Sequence, residues 1–349
     1  PVFVDPFDAR IPDSMAHIHL TRGAAAIIVA PASTNFIARL AHGLADDLLA
    51  ALCAARGPCP LLLAPAMNRE MWLNPPTQRN IRQLKEDGVT ILGPASGSQA
   101  CGETGDGRMI EPLELLDGLI GGLQPKVLAG IRVVITAGPT VEAIDPVRIL
   151  TNRSSGKTGF ALARAACQAG ASVVLIAGPA TLPTPYGVQR IDVESAAQMR
   201  AAAMAAVAGA DVFIAVAAVA DWHVLHPSGQ KLKKHDLANR GTATLDLRLA
   251  PNPDILTEVA ALPNGPWCVG FAAETEKLEA HAQAKRARKG VDLMIGNLAQ
   301  QSMGADDTQL VLFDDTGAQP LPRLSKTEAA RCLIDAIAAR LPRNARGRG

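Results

Sequence analysis

Two sets of polar residues stand out from a largely apolar chain. In the first half, His17 lies in MAHIHL, Asn68 in PAMNREMW and Cys101 in SGSQACGETGDGRM. A lone histidine is ordinarily structural, and His17 with His19 could equally mark one strand face. Cys101 differs from the other five cysteines, because its polar, glycine-rich loop gives a core role no support. A histidine, an asparagine at a strand end and a loop cysteine without metal-ligand spacing point to redox or acid–base work on a small substrate.

The second set belongs to the stretch Ile131 to Gly159, IRVVITAGPTVEAIDPVRILTNRSSGKTG. Strand, glycine turn, polar loop and helix start follow one another, which is how α/β proteins present backbone N–H groups to phosphate. Gly156-Lys157-Thr158 invites a P-loop reading, but Thr151 stands where the first glycine of that motif belongs, and a long polar segment intervenes. The GxGxxG dinucleotide fingerprint is absent as well. Basic residues follow far down the chain: Lys231 to Lys234 in KLKK, and Lys285 and Lys289, four apart and so on one helix face. Any one such cluster is ordinarily a solvated surface, and Lys233, Lys234 and Arg286 are read that way. Asp221 and Glu274, however, end apolar runs. Carboxylates and lysines at strand ends of an α/β sheet suit a nucleoside triphosphate with Mg²⁺.

The elements that must position these residues alternate. Strands are expected at 25–30, 60–64, 89–92, 131–135, 172–176, 212–216, 242–249, 267–272 and 293–296. Helices are expected at 36–55, 78–87, 113–121, 159–169 and 196–207, and residues 93–107 read as a glycine-rich loop, a candidate lid. The alternation implies parallel, doubly wound sheets. Residues 309–313 and 319–321 flank a hairpin turn, and Ser325 with Glu328 signs the start of a last helix. With 349 residues two domains are expected, and Gly121 to Pro125 is the best linker. A net charge of +1 gives no general pull toward nucleic acid or anionic membrane. Six scattered cysteines form no disulfide framework or zinc motif, and no apolar run reaches membrane-spanning length. A cytoplasmic protein is expected.

The second half resembles a known family. ITAGPT, DPVR followed by TNRSSGK, AAVADW, KLKK, NPDIL, and GFAAET with KRARK nine residues on occur in that family's order over Ile131 to Leu341. They resemble the ligase half of the bacterial bifunctional phosphopantothenoylcysteine decarboxylase/phosphopantothenate–cysteine ligase of coenzyme A synthesis. The resemblance implies that CTP activates the carboxylate of phosphopantothenate as an acyl-cytidylate, from which cysteine's amine displaces CMP. It implies that Asn152 binds the acyl-cytidylate and that Lys231 supports its formation. Asp221, Pro253, Asp254, Ile255, Leu256, Phe271, Lys285 and Lys289 would hold CTP. Gly138, Arg148, Ser154, Ser155 and Gly156 would shape the anion pocket.

The first half is similar to the flavin-dependent decarboxylase half of the same family, through its GHIxL-like histidine, PAMNxxM and SGSQACG. That resemblance implies FMN, with Ser33, Thr34 and Asn35 at the flavin, His17 acting in oxidation, Asn68 on the substrate carboxylate and Cys101 as proton donor in reduction. In the family an opening strand and a glycine-containing flavin-phosphate loop precede the point where this chain starts. Part of the FMN site is therefore expected to be missing, which puts decarboxylase activity in doubt. The alternative is a first half that serves as a non-catalytic assembly or regulatory module beside a working ligase. The expected architecture is two Rossmann-like domains: a flavodoxin-like flavoprotein domain over 1–124, truncated at its N-terminus, and a ligase domain over 125–341, with a flexible tail at 342–349. The family implies trimeric decarboxylase units and dimeric ligase units; the metal ligands are left open.

Overall fold

A computed structural model describes residues 1–5, 10–11, 15–99, 102–233, 244–274, 278–298 and 307–342. The fold divides into two compact units, Pro1–Gln124 and Pro125–Gly349.

The first unit runs α1 (Ala16–Thr21), β1 (Ile27–Ala32), α2 (Thr34–Ala41), α3 (Leu48–Ala55), β2 (Leu61–Pro65), α4 (Arg69–Leu73), α5 (Pro75–Glu86), β3 (Thr90–Ile91), β4 (Ala95–Ser98), β5 (Thr104–Arg108) and α6 (Pro112–Leu123). Strands β1, β2 and β3 pair in that order, all parallel. Every residue of β2 is buried, as expected of a parallel strand covered on both faces.

Three expectations change here. The helix expected over 36–55 is two helices, because Gly43 takes a left-handed φ of 69° and Asp47 starts α3 by accepting from Ala50 N at 2.8 Å. The expected glycine-rich loop at 93–107 contains an antiparallel hairpin, β4 on β5. Gly107 in it is a packing position: a Cβ there would lie 2.4 Å from Met67 O. His17 sits on helix α1, so it does not share a strand face with His19.

The second unit runs β6 (Arg132–Ala137), β7 (Val141–Ala143), β8 (Ile149–Thr151), α7 (Lys157–Gln168), β9 (Ser172–Ala177), β10 (Gln189–Asp192), α8 (Ala196–Ala206), β11 (Val212–Ala215), β12 (Trp222–Val224), β13 (Leu249–Pro251), α9 (Ile255–Ala260), β14 (Trp267–Glu274), α10 (Leu278–Lys289), β15 (Leu293–Leu298), β16 (Asp307–Thr308), β17 (Val311–Asp314), β18 (Gly317–Pro320), β19 (Leu324–Ser325) and α11 (Lys326–Arg340). Its eight-stranded sheet has the order β10-β9-β6-β11-β14-β15-β17-β18. The first six strands are parallel, and β17 and β18 close the edge antiparallel, forming the expected hairpin.

Successive side chains of a strand face opposite ways, and the core shows it. Val133, Ile135, Val173 and Leu175 pack beneath α7 and α11. Val134, Val174, Ile176 and Phe213 pack against α8, α9 and α10. Two apolar faces explain why β6 and β9 read as continuous apolar runs. The capping box at Ser325 and Glu328 starts α11 as expected. The strand expected over 242–249 is confined to Leu249–Pro251: residues 244–248 are exposed and irregular, and 242–243 lie outside the described residues. Alternation in that segment thus reports no buried face. The polar loop after β6 contains the β7–β8 hairpin, and β10 and β12 are further strands that periodicity does not announce.

Candidate functional site

Taken in chain order, the six parallel strands of the second unit lie 3-2-1-4-5-6, with β6 first and β11 fourth. This is the doubly wound order, and crossovers change direction between β6 and β11, where open α/β sheets bind ligands. The order is present although the glycine fingerprint that often accompanies it is not.

The chain leaves β6 through Gly138-Pro139-Thr140 and leaves β11 through residues 216–221. The two exits are bridged at Pro139 and Ala218, with Ala218 N donating to Gly138 O at 2.9 Å. Gly138 is left-handed, with φ of 78°. Gly178, at the end of β9, packs so closely that a Cβ on it would lie 1.7 Å from Pro139 O. Thr140 is fully buried and works from both ends: its Oγ1 accepts from Ala220 N at 2.9 Å and its carbonyl from Thr151 Oγ1 at 2.7 Å. Asn152 therefore lands on the β11 exit, where Nδ2 donates to Val219 O at 3.0 Å and to Ala218 O at 3.4 Å. Two carbonyl acceptors settle which end of the amide is nitrogen. Oδ1 is left as an acceptor on an exposed side chain.

Asp221 is exposed at the end of the same exit, and its carbonyl accepts from Asn252 N at 2.8 Å. Asn252 also donates through Nδ2 to Ala220 O at 2.8 Å, and its Oδ1 lies 3.0 Å from His223 Nδ1. These bonds bring Pro253 and Asp254 beside Asp221. Asp254 caps α9, accepting from Thr257 N at 3.2 Å, and pairs with Lys289 Nζ at 2.7 Å. Burial alone would raise its carboxyl, but Lys289 and Thr257 outweigh that and hold it below the usual carboxylate range. Ile255 and Leu256 are buried, so their side chains belong to the core and only their backbone can meet a ligand. Lys285, one turn before Lys289, donates to Phe271 O at 3.2 Å. Phe271 is half-buried on β14, paired with Ile295.

On the other side of β6, Gly156 caps α7 with φ of 75°, and its N–H donates to Ser154 Oγ at 3.3 Å. Ser154 and Ser155, with Lys157, line a cavity of about 950 Å³ whose far wall includes Thr181, Leu182 and Arg190. Arg190 holds that wall: it donates to Leu182 O at 2.8 Å and Ala180 O at 3.3 Å, and lies over the Phe160 ring at 5.2 Å. Lys231 is exposed in the segment after β12. Arg148 pairs with Asp145 at 2.6 Å and donates to Leu232 O at 3.0 Å, so it is built into the wall beside Lys231. Asp145, Asn252, Thr140 and Arg190 were not singled out from the sequence. Asp145 and Asn252 could have been, as polar residues inside the DPVR and NPDIL motifs.

In the first unit, Ser33 caps α2 by accepting from Phe36 N at 3.2 Å. Thr34 Oγ1 lies 3.3 Å from Met67 Sδ, and Ala66 N donates to Ala32 O at 3.0 Å, so the loops leaving β1 and β2 meet. Asn35 is exposed. Asn68 caps α4, accepting from Met71 N at 2.9 Å, and its Nδ2 reaches Glu103 on the hairpin side at 3.4 Å. His17 is half-buried on α1, and its carbonyl accepts from Thr21 Oγ1 at 3.0 Å. Cys101, like Lys234 of KLKK, lies outside the described residues. Among the described residues no group of three or more His, Cys, Asp or Glu side chains could hold a metal, and no helix is long and apolar enough to cross a membrane.

A doubly wound sheet with Asn152 and Asp221 at its switch point, and Lys285 and Lys289 reaching β14 and Asp254 next to it, defines an α/β ligand-binding fold; the first unit is a second, smaller α/β domain. Residues 128–341 match the family model of the DNA/pantothenate metabolism flavoprotein C-terminal domain, and residues 1–124 match the flavoprotein family. The chain is 46% identical over 341 residues to the coenzyme A biosynthesis bifunctional protein CoaBC of Vibrio cholerae, covering 97% of this chain and 84% of that protein. It is 43% identical over 345 residues to the Escherichia coli K12 protein of the same name, with the same coverage. The crystal structure of the C-terminal domain of a CoaBC protein superposes with a TM-score of 0.52 at 33% identity, covering 61% of this chain and 97% of that one. The chain belongs to the family of coenzyme A biosynthesis bifunctional proteins.

Proposed function

We propose that this enzyme of coenzyme A biosynthesis joins phosphopantothenate to cysteine in its second unit and decarboxylates the product in its first. In the ligation, a carboxylate oxygen of phosphopantothenate attacks the α-phosphorus of CTP and pyrophosphate leaves. The cysteine amine then attacks the acyl carbon, loses its proton to solvent and expels CMP. What carries the reading is the convergence on one sheet edge of Asn152, Asp221, Asp254, Lys285 and Lys289, residues far apart in sequence. Lys285 and Lys289 place positive charge where a triphosphate needs it, and Asn152 Oδ1 offers an acceptor beside it. Lys231 stabilises charge on the transferring phosphate. Mg²⁺ is commonly held by one or two carboxylates plus substrate phosphates, and exposed Asp221 fits that mode, whereas Asp254 is already paired.

For the decarboxylation, the α2 N-terminus carries no acidic residue in its first turn, and Ser33 already satisfies Phe36 N. The remaining amides and the Thr34 and Asn35 side chains fit an acceptor-rich group such as FMN. FMN held there would supply the two-electron oxidation of the substrate thiol that makes loss of carbon dioxide easy. Asn68, met by the β1 and β2 exits, binds the substrate carboxylate; His17 takes the proton during oxidation, and Cys101 donates one during reduction. Trimeric and dimeric assembly, and a cytoplasmic site of action, complete the proposal.

The test is reconstitution. The full chain with CTP, Mg²⁺, phosphopantothenate and cysteine should release pyrophosphate, and Lys231→Gln should lower that rate at least about a hundredfold. Unchanged release in Lys231→Gln would remove Lys231 from the site. A visible spectrum showing bound flavin supports the first-unit reading; a colourless protein that ligates favours the assembly-module alternative.

A further inference from the structure

Lys231 sits in a segment with little structure of its own. The segment is nevertheless anchored, and the anchor lies far back in the chain. Asp145 stands in the turn between β7 and β8, and its side chain is 0% exposed. Oδ1 accepts from Val147 N and Arg148 N, both at 2.8 Å, which is all that the turn itself requires. Oδ2 is used differently. It accepts from Arg148 Nη1 at 2.6 Å and from Leu232 N at 3.1 Å, and Arg148 Nη2 returns to Leu232 O at 3.0 Å. Both backbone polar groups of Leu232 are thus captured by one ion pair. Ser228 N adds a bond to Ile144 O at 2.9 Å on the same turn. A buried carboxylate is costly unless each lone pair finds a donor. Here one of its four hydrogen bonds goes to the peptide group next to Lys231, and another to the guanidinium that holds the carbonyl of Leu232.

We infer that Asp145 is a positioning residue for Lys231: through Leu232 it fixes the backbone that delivers the lysine to the phosphate. The inference rests on the assignment of Lys231 to the ligase reaction. Misplacement of a catalytic group by about 1 Å can cost about a hundredfold in rate, so a clamp on the adjacent peptide is a direct lever on the first half-reaction.

The experiment uses the full chain. Asp145→Asn keeps an acceptor for the turn but loses the charge and the pair with Arg148. It should lower kcat for pyrophosphate release roughly tenfold to a hundredfold, leave KM for CTP within about twofold, and cause no further loss when added to Lys231→Gln. Trypsin should cut after Lys231 and Lys233 faster in the folded variant than in the wild type, with other sites unchanged. Should Asp145→Asn fail to fold, Leu232→Pro deletes the donor while sparing the carboxylate, and cleavage after Lys233 is read instead. Wild-type kcat together with wild-type protection would overturn the inference, as would a full multiplicative loss on top of Lys231→Gln. Unaltered release in Lys231→Gln would instead sink the catalytic assignment, and the protection measurement would still decide whether Asp145 holds the segment.

Discussion

The two units solve the same problem, holding polar side chains at the carboxyl ends of parallel strands, in different ways. In the second unit the anchors reach across the chain. Asn152 is held by carbonyls 66 and 67 residues away, and Leu232 by a carboxylate 87 residues away. In the first unit the caps are local: Ser33 and Asn68 each bond the amide three residues on, and the longer reaches, such as Thr34–Met67, Asn68–Glu103 and Arg69 N to Gln99 Oε1, tie neighbouring loops to one another. The difference matches the chemistry proposed for each. A ligase must itself supply charge and geometry to a transferring phosphate, so its side chains need a rigid, cross-linked edge. A flavoprotein lets its cofactor carry the hard step and need only bind and orient it.

The sharpest way to break this comparison is at the close contact under the second site. Gly178→Ala would place a Cβ 1.7 Å from Pro139 O, against rigid backbone on both sides. The β6 exit must move, at a cost of about 3 kcal/mol or more, and Asn152 and Thr140 move with it. Ligation should be lost and a thermal transition lowered, while flavin absorbance and decarboxylation persist. Simultaneous loss of both activities would show that the two sites do not stand separately.

A smaller effect is expected at the local cap. Asn68→Ala removes the bond to Met71 N and should cost about 1 kcal/mol, with decarboxylation lost and ligation retained. Asn68→Asp separates the two roles: an aspartate still caps α4, so stability returns, but its charge opposes a substrate carboxylate and decarboxylation stays low. Recovery of activity in Asn68→Asp would mean that the cap, and not substrate binding, is what Asn68 contributes.

What could be read from the sequence follows the same division. The central strands of the second sheet were legible because helices cover both faces, which leaves unbroken apolar runs such as VVITA and VVLIA; the edge strand β10, polar and half-exposed, was not. The hairpins β4–β5 and β7–β8 were not, because their residues are glycine, polar or half-exposed and carry no buried face to impose a period of two. Helical spacing ran through Gly43 to Asp47 because Leu44 and Leu48 fall in phase by accident, while the breakers between α2 and α3 decide the backbone. Among polar residues of the sheet edge, Asn152, Asp221 and Asp254 were singled out from their motifs, whereas Asp145 and Asn252, equally inside motifs, were passed over because what they do is tertiary. Asp145 reads as one acid in a polar loop, and only the fold shows it bonded to Leu232. Lys285 and Lys289 were placed on one face by spacing alone, yet their partners, Phe271 O and Asp254, come from other elements.

The smallest effect belongs away from both sites. Asp314, at the end of β17, accepts from Thr316 N at 2.8 Å and pairs with Arg340 of α11 at 2.8 Å. Burial alone would push its carboxyl up; the Thr316 hydroxyl, the Arg340 guanidinium and the Thr316 amide outweigh that and bring it from 3.8 to about 2. A carboxyl depressed on folding contributes stability that is fully present above its unfolded value and is lost as pH falls through the folded one. The window for Asp314 is therefore from about 4 down to about 2. The thermal unfolding temperature of the second unit should drop as pH falls from about 4 toward about 2, and Asp314→Asn should shrink that drop while ligation at pH 7 stays unchanged. An equal drop in the variant would assign the acid sensitivity to other carboxylates, with Asp145 and Asp254 the first to test, since both are held below their ordinary range.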